Sequence, residues 1–170
     1  MPTPQPSPAD RLNSLLADYQ VYAAARAAFL AQLDLSVSCR DPLSEFSEHL
    51  TAALLGAQLA PSRVQKGYDL VKPDGRRVQV KYLSNPEGEW INGHEVIFPD
   101  EAEEYALVFF VSLRVQAVII FQKETLGLLC ARLKKKHTHK LQLTRRIVEA
   151  MLADPAGFAP LGVAVHRFER

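Results

Sequence analysis

Hydrophobic and polar positions divide this chain into segments of different period. From Ala9 to Leu33, alanine and leucine recur among polar residues at helical spacing. Ser7-Pro8-Ala9-Asp10 puts a capping serine and a first-turn proline at the start, so a long helix is expected there. Asp41-Pro42 repeats the capping pattern and opens a second expected helix that stops at Gly56. Leu43, Phe46, Leu50, Ala53 and Leu54 form one apolar stripe of that helix. Glu48, Ala52, Leu55 and Leu59 follow a second line, with Ser44, Thr51 and Gln58 between them on the expected solvent side. Packing against both stripes puts Glu48 at a partly buried boundary. An unpaired carboxylate is costly there, which calls for a metal or a basic partner. Glu45, one turn earlier, is the reserve candidate.

The period then changes to two. Val71 precedes the turn formers Pro73, Asp74 and Gly75, and Arg77 to Tyr82 alternates polar with apolar: strand, tight turn, strand. Arg77, Gln79 and Lys81 share one face of the second strand, and Val78, Val80 and Tyr82 the other. The hairpin brings Asp69 back toward Gln79 and Lys81. Beyond a loop over 87–93, His94 to Phe98 reads as a short strand. Tyr105 to Val111 is almost uniformly apolar, as expected of a strand covered on both faces. Gln116 to Gln122 is its expected hairpin partner across the connection Ser112 to Val115. Helices are expected from Glu124 to Lys136 and, capped by Thr144, from Arg145 to Leu152. This order, α-α-β-β-β-β-β-α-α, predicts an α/β fold with a central mixed β-sheet flanked by α-helices. The expected organisation is a flexible Pro-rich tail over 1–8 and a single domain over 9–170. Its parts are an N-terminal helix (9–40), a core with the site (41–123) and a basic helical part (124–170).

Composition adds limits. A chain of 170 residues, 48% hydrophobic and 23% charged, suits one soluble domain with a real core. No apolar run reaches the length of a membrane span, and no basic-then-apolar secretory leader is visible. Cys39 and Cys130 have no metal-type spacing and are expected as free thiols in a reducing cytoplasm. The net charge of +1 hides a strong asymmetry. Residues 132–146 hold Arg132, Lys134, Lys135, Lys136, Lys140, Arg145 and Arg146 and no acid, whereas 87–104 holds seven acids and no Lys or Arg. The basic run is a candidate surface for a phosphate backbone, and the alternative is two solvated faces that pair with each other. Trp90, in a Gly-flanked loop, is a candidate to stack on a base. His137 and His139 form an HxH pair among lysines, better read as a solvated or phosphate-facing loop than as a metal site.

An acidic residue, about ten residues, then a pair on alternate positions ending in lysine (Asp69, Gln79, Lys81) resembles the PD-(D/E)XK nuclease superfamily, the restriction-endonuclease-like fold. Gln79 stands where the family usually carries Asp or Glu, and Tyr68 where it often carries Pro. Glu48 matches the acid that the family places on the preceding helix. The resemblance covers roughly residues 41–123. It implies a Mg²⁺-dependent endodeoxyribonuclease, with Mn²⁺ as an alternative ion, in which Glu48, Asp69, Gln79 and Lys81 are catalytic. The metal ligands would be Asp69, the Gln79 amide oxygen and the Val80 carbonyl, with Glu48 acting through water or on a second ion. Lys81 would orient the attacking water. Lys134, Lys135, Lys136, Lys140, Arg145, Arg146 and Trp90 would contact DNA, and a homodimer cutting two strands fits the resemblance. Two other classes remain open: a catalytically silent DNA-binding module of the same fold, and a protein-interaction subunit using the acidic segment 87–104.

Overall fold

The computed structural model describes residues 8–35, 42–62, 67–85, 94–111 and 114–168. Expectations that fall elsewhere (the Ser7 cap, the tail before it, Cys39 and the Trp90 loop) lie outside the described residues. The chain divides into two compact units, Met1–Pro42 and Leu43–Arg170. The first contains helix α1, Pro8–Gln32, the long alanine-rich element the spacing predicts. No helix among the described residues is long and apolar enough to cross a membrane.

The second unit is α/β, with a mixed central sheet of six strands flanked by helices. Its elements are α2 (Leu43–Leu55), β1 (Gln58–Leu59), β2 (Leu70–Val71), β3 (Arg77–Asn85), β4 (His94–Ile97), β5 (Glu104–Val111) and β6 (Arg114–Gln122). Then follow α3 (Leu126–Arg132), β7 (Lys140–Leu143), α4 (Arg145–Ala153), α5 (Pro155–Phe158), a 3₁₀ turn (Ala159–Leu161) and β8 (Val163–Arg167). The sheet order is β1-β2-β3-β5-β6-β8. Among the described residues, β3 and β5 alone run parallel, and the other neighbours pair antiparallel. A parallel pair needs a long crossover, and here the crossover contains β4. That strand leaves the main sheet and pairs with β7 as a separate two-stranded ribbon.

Strand β5 is buried along nearly its whole length and divides the core. Tyr105, Leu107 and Phe109 face a cluster shared with α3, α4, β7 and β8, while Ala106, Val108 and Phe110 face α2. On β3, Val78 and Val80 join the α2 side, where Tyr82 meets Phe110 edge-on, and Leu83 joins the other. Helix α2 closes where glycine is required: Gly56 takes φ +61°, and the Ala57 N–H donates to the Ala52 carbonyl at 2.9 Å. The β2–β3 turn forms as its residues dictate. Gly75 has φ +85°, and the Lys72 N–H meets the Arg76 carbonyl at 2.9 Å.

Several expectations are corrected. Thr51 is fully buried rather than solvent-facing, Ala53 is exposed, and Gln58 and Leu59 leave the helix to form β1. Arg114 and Val115 belong to β6 rather than to its connection. The helix expected from Glu124 to Lys136 ends at Arg132, and Lys134 turns the chain away at φ +54°. The basic C-terminal part is therefore not simply helical: β7 lies within the charged run, and β8 forms the sixth strand of the sheet.

Candidate active site

The β2–β3 ladder stops at the Leu70–Val78 pair, and Asp69 continues it by other means. The Asp69 N–H donates to the Val78 carbonyl at 2.9 Å. Its carboxylate then takes the next strand donor, accepting from the Val80 N–H at 2.7 Å. The Gln79 side-chain amide donates to the same carboxylate oxygen, and also to the Val80 carbonyl at 3.3 Å. Two oxygens thus aim at the position held by the Gln79 nitrogen. Asp69 and Gln79 are brought together as the hairpin geometry predicts, and the Val80 backbone joins them. Gln79, however, presents its nitrogen to Asp69, and an amide turned over by 180° would present its oxygen there.

Burial pushes the Asp69 carboxyl above its ordinary value, opposed by the Val80 N–H and by the nearby charge of Lys81. Lys81 is exposed on the same face of β3 as Gln79, so its ammonium is open to solvent while its field reaches Asp69. Across the parallel pair, Gln79 is in register with Tyr105. Burial and then the charge of Asp69 push the Tyr105 phenol well upward. Its hydroxyl is 2.7 Å from Nε2 of His94, whose own value is lowered by burial and by Lys81. His94 and Tyr105 are not legible in the sequence as site residues, because only the β3–β5 register and the departure of β4 from the sheet bring them there.

Asp69 also lines a cleft of about 150 Å³ with Glu45, Glu48, His49, Leu59, Ala60, Pro61 and Ser62. Helix α2 supplies its acids by packing on the Val78–Val80 face, so Asp69 shares a cleft with the acids of α2 while it is bonded to Gln79 of β3. Glu45 Oε2 is buried with no hydrogen-bond partner, which makes the reserve candidate as prominent here as Glu48. Among the described residues, no three His, Cys, Asp or Glu side chains are arranged to hold a metal ion by themselves. The donors are nevertheless those a hard, hydrated cation takes. They are one or two carboxylates, a backbone carbonyl and an amide, with water completing the shell. The unpartnered Glu45 oxygen shows that the cleft has acceptor capacity to spare. The residues fit a water-rich site and not a closed carboxylate cage.

The charged segments separate by role. Lys134, Lys136, Arg145 and Arg146 are exposed, and Lys135 and Lys140 half-buried. Lys140 pairs with Glu95 across the ribbon at 3.4 Å, and Arg145 with Glu149 at 2.7 Å. The acidic run does not present one continuous surface. Glu104 is buried on Lys72 and Arg76, and Glu103 is engaged by Arg77. His137 and His139 lie ring to ring at 5.6 Å on an exposed loop. Compared with known proteins, the chain matches no family model and no curated protein.

Proposed function

We propose that this chain is a metal-dependent endodeoxyribonuclease of the restriction-endonuclease-like fold. The observation that carries the reading is the convergence of Asp69, the Gln79 head group and the Val80 carbonyl, with Lys81 on the same face of one strand. Asp69 and the Val80 carbonyl would hold Mg²⁺, Gln79 would join through its amide oxygen, and Glu45 or Glu48 would act through bound water. When present, such an ion supplies the charge that activates water and stabilises the phosphodiester oxygens. Lys81 positions the attacking water and offsets negative charge building on the phosphate. Asp69 is held by the Val80 N–H, so its carboxylate is fixed before substrate arrives. Lys134, Lys135, Lys136, Lys140, Arg145 and Arg146 bind the DNA backbone without reading sequence.

A second reading has one observation in its favour. The Gln79 amide already satisfies both Asp69 and Val80, as a silent DNA-binding module would require. Incubation with supercoiled plasmid separates the two. Nicking in Mg²⁺ or Mn²⁺ that EDTA abolishes supports the nuclease. Salt-sensitive plasmid retention, with no cleavage in either ion, supports the silent binder.

A further inference from the structure

The β4–β7 ribbon carries one titratable side chain into the site face of the sheet. His94 opens β4 opposite Leu143 and is half-buried. Its Nε2 lies 2.7 Å from the Tyr105 hydroxyl, with the rings 5.9 Å apart. Tyr105 is a rigid post: it is 3% exposed and is flanked by Phe98 and Phe121 at 5.8 and 6.4 Å between ring centroids. It also stands in register with Gln79.

The burial of the Tyr105 hydroxyl favours one tautomer of His94. A buried hydroxyl that donates to nothing costs free energy, and among the described residues His94 is the partner of this one. The arrangement that satisfies it has the Tyr105 O–H donating to an unprotonated Nε2. The hydrogen of the neutral ring then sits on Nδ1. We propose that His94, set in this tautomer by Tyr105, is a substrate-contacting residue whose Nδ1–H donates to a non-bridging oxygen of the phosphodiester at the Asp69–Gln79–Lys81 site. It is a hydrogen-bond donor and not a general acid, because a neutral imidazole gives up its proton poorly. Charge building on the phosphate strengthens that bond, so the donor acts mainly on turnover and less on binding. The inference rests on the nuclease reading given above.

The test compares single-turnover plasmid nicking by the native protein, His94→Ala, His94→Asn and His94→Gln, with duplex affinity measured in EDTA. An asparagine amide nitrogen can take the place of Nδ1, and a glutamine cannot without displacing Tyr105. We expect His94→Ala and His94→Gln to lose roughly 10- to 100-fold in rate, and His94→Asn to stay within about threefold of native, at nearly unchanged duplex affinity. Equal losses in the alanine and asparagine variants, or no loss in either, would overturn the proposal. Long-range ¹H–¹⁵N NMR of the imidazole gives a readout that does not need cleavage. The Nδ1–H tautomer should be present, and Nδ1 should shift on titration with a short duplex. A proton on Nε2, or an unmoved Nδ1, refutes the assignment. A native protein that cleaves nothing refutes the nuclease reading instead, and the NMR titration then decides the His94 contact alone.

Discussion

Replacing Glu104 should destabilise the hairpin that carries Asp69, by an amount that follows from the neighbours of its carboxylate. Glu104 opens β5 at 1% exposure. A single oxygen accepts from Lys72 Nζ at 2.9 Å and from the Gln122 amide at 3.2 Å, and forms an ion pair with Arg76 at 2.6 Å. Lys72 and Arg76 flank the β2–β3 turn, so the carboxylate fastens that turn to β5 and β6. Arg76 is 44% exposed and also pairs with Asp74, so its share is screened by solvent and counts for little. Lys72 is only 16% exposed, and its second partner, Asp74, is 3.9 Å away. Glu104→Leu therefore strands a mostly buried ammonium. Breaking a buried pair from one side costs about 3–5 kcal/mol, and the partial exposure of Lys72 reduces this to roughly 2–3 kcal/mol. Glu104→Gln keeps an acceptor but loses charge assistance, at about 1–2 kcal/mol. At roughly 2–4 °C per kcal/mol for a domain of this size, Tm should fall by about 4–12 °C for leucine and by less for glutamine. Thermal melts followed by circular dichroism measure this. A leucine variant that melts with the native protein, or below it by no more than the glutamine variant, would refute the reasoning.

Three further outcomes follow from the site. Asp69→Asn should abolish cleavage yet raise the thermal midpoint at neutral pH, since burial opposes the native charge. Because the folded-state value of Asp69 is raised, its stabilising contribution is complete below the ordinary 3.8 and is lost as pH rises through the folded value; melts of the two proteins should coincide in acid and diverge toward neutrality. Gln79→Glu sets a second carboxylate against Asp69, so its Tm should fall in EDTA and recover in Mg²⁺, and an equal Tm in both media would count against cation binding there. Alanine at the exposed Lys134, Lys136 and Arg146 should flatten the salt dependence of duplex binding by about 0.9 for each phosphate no longer neutralised, and an unchanged slope would place the DNA elsewhere.

The parts of this fold that follow from local chemistry are legible in the sequence. Gly56 and Gly75 stand where left-handed backbone is needed, and the apolar, β-favouring run of β5 is the strand covered on both sides that it reads as. The Asp69–Gln79 contact belongs to the same class, since a tight turn fixes which residues return to one another. What local spacing hides depends on distant pairing. Lys140-Leu141-Gln142-Leu143 alternates perfectly and buries both leucines, but its setting among lysines and arginines reads as a charged surface. Val163 to Arg167 is a short strand whose place is set by β6, about forty residues earlier. The hydroxyl of Thr51 suggests solvent, although its position on α2 faces inward. His94 and Tyr105 meet only through the β3–β5 register and the departure of β4 from the sheet, neither of which local spacing encodes.

Whether Asp69, Gln79 and Lys81 form a working phosphodiesterase site is tested most directly by cleavage of supercoiled plasmid with native protein and Lys81→Ala side by side. Lys81 is exposed, so its removal leaves the core intact, and circular dichroism would verify this. The expected result is nicking by the native protein in Mg²⁺ or Mn²⁺ and a rate lower by roughly 100-fold or more in the variant, with plasmid retention little changed. Equal nicking by the two proteins, or none by the native protein in either ion, would contradict it.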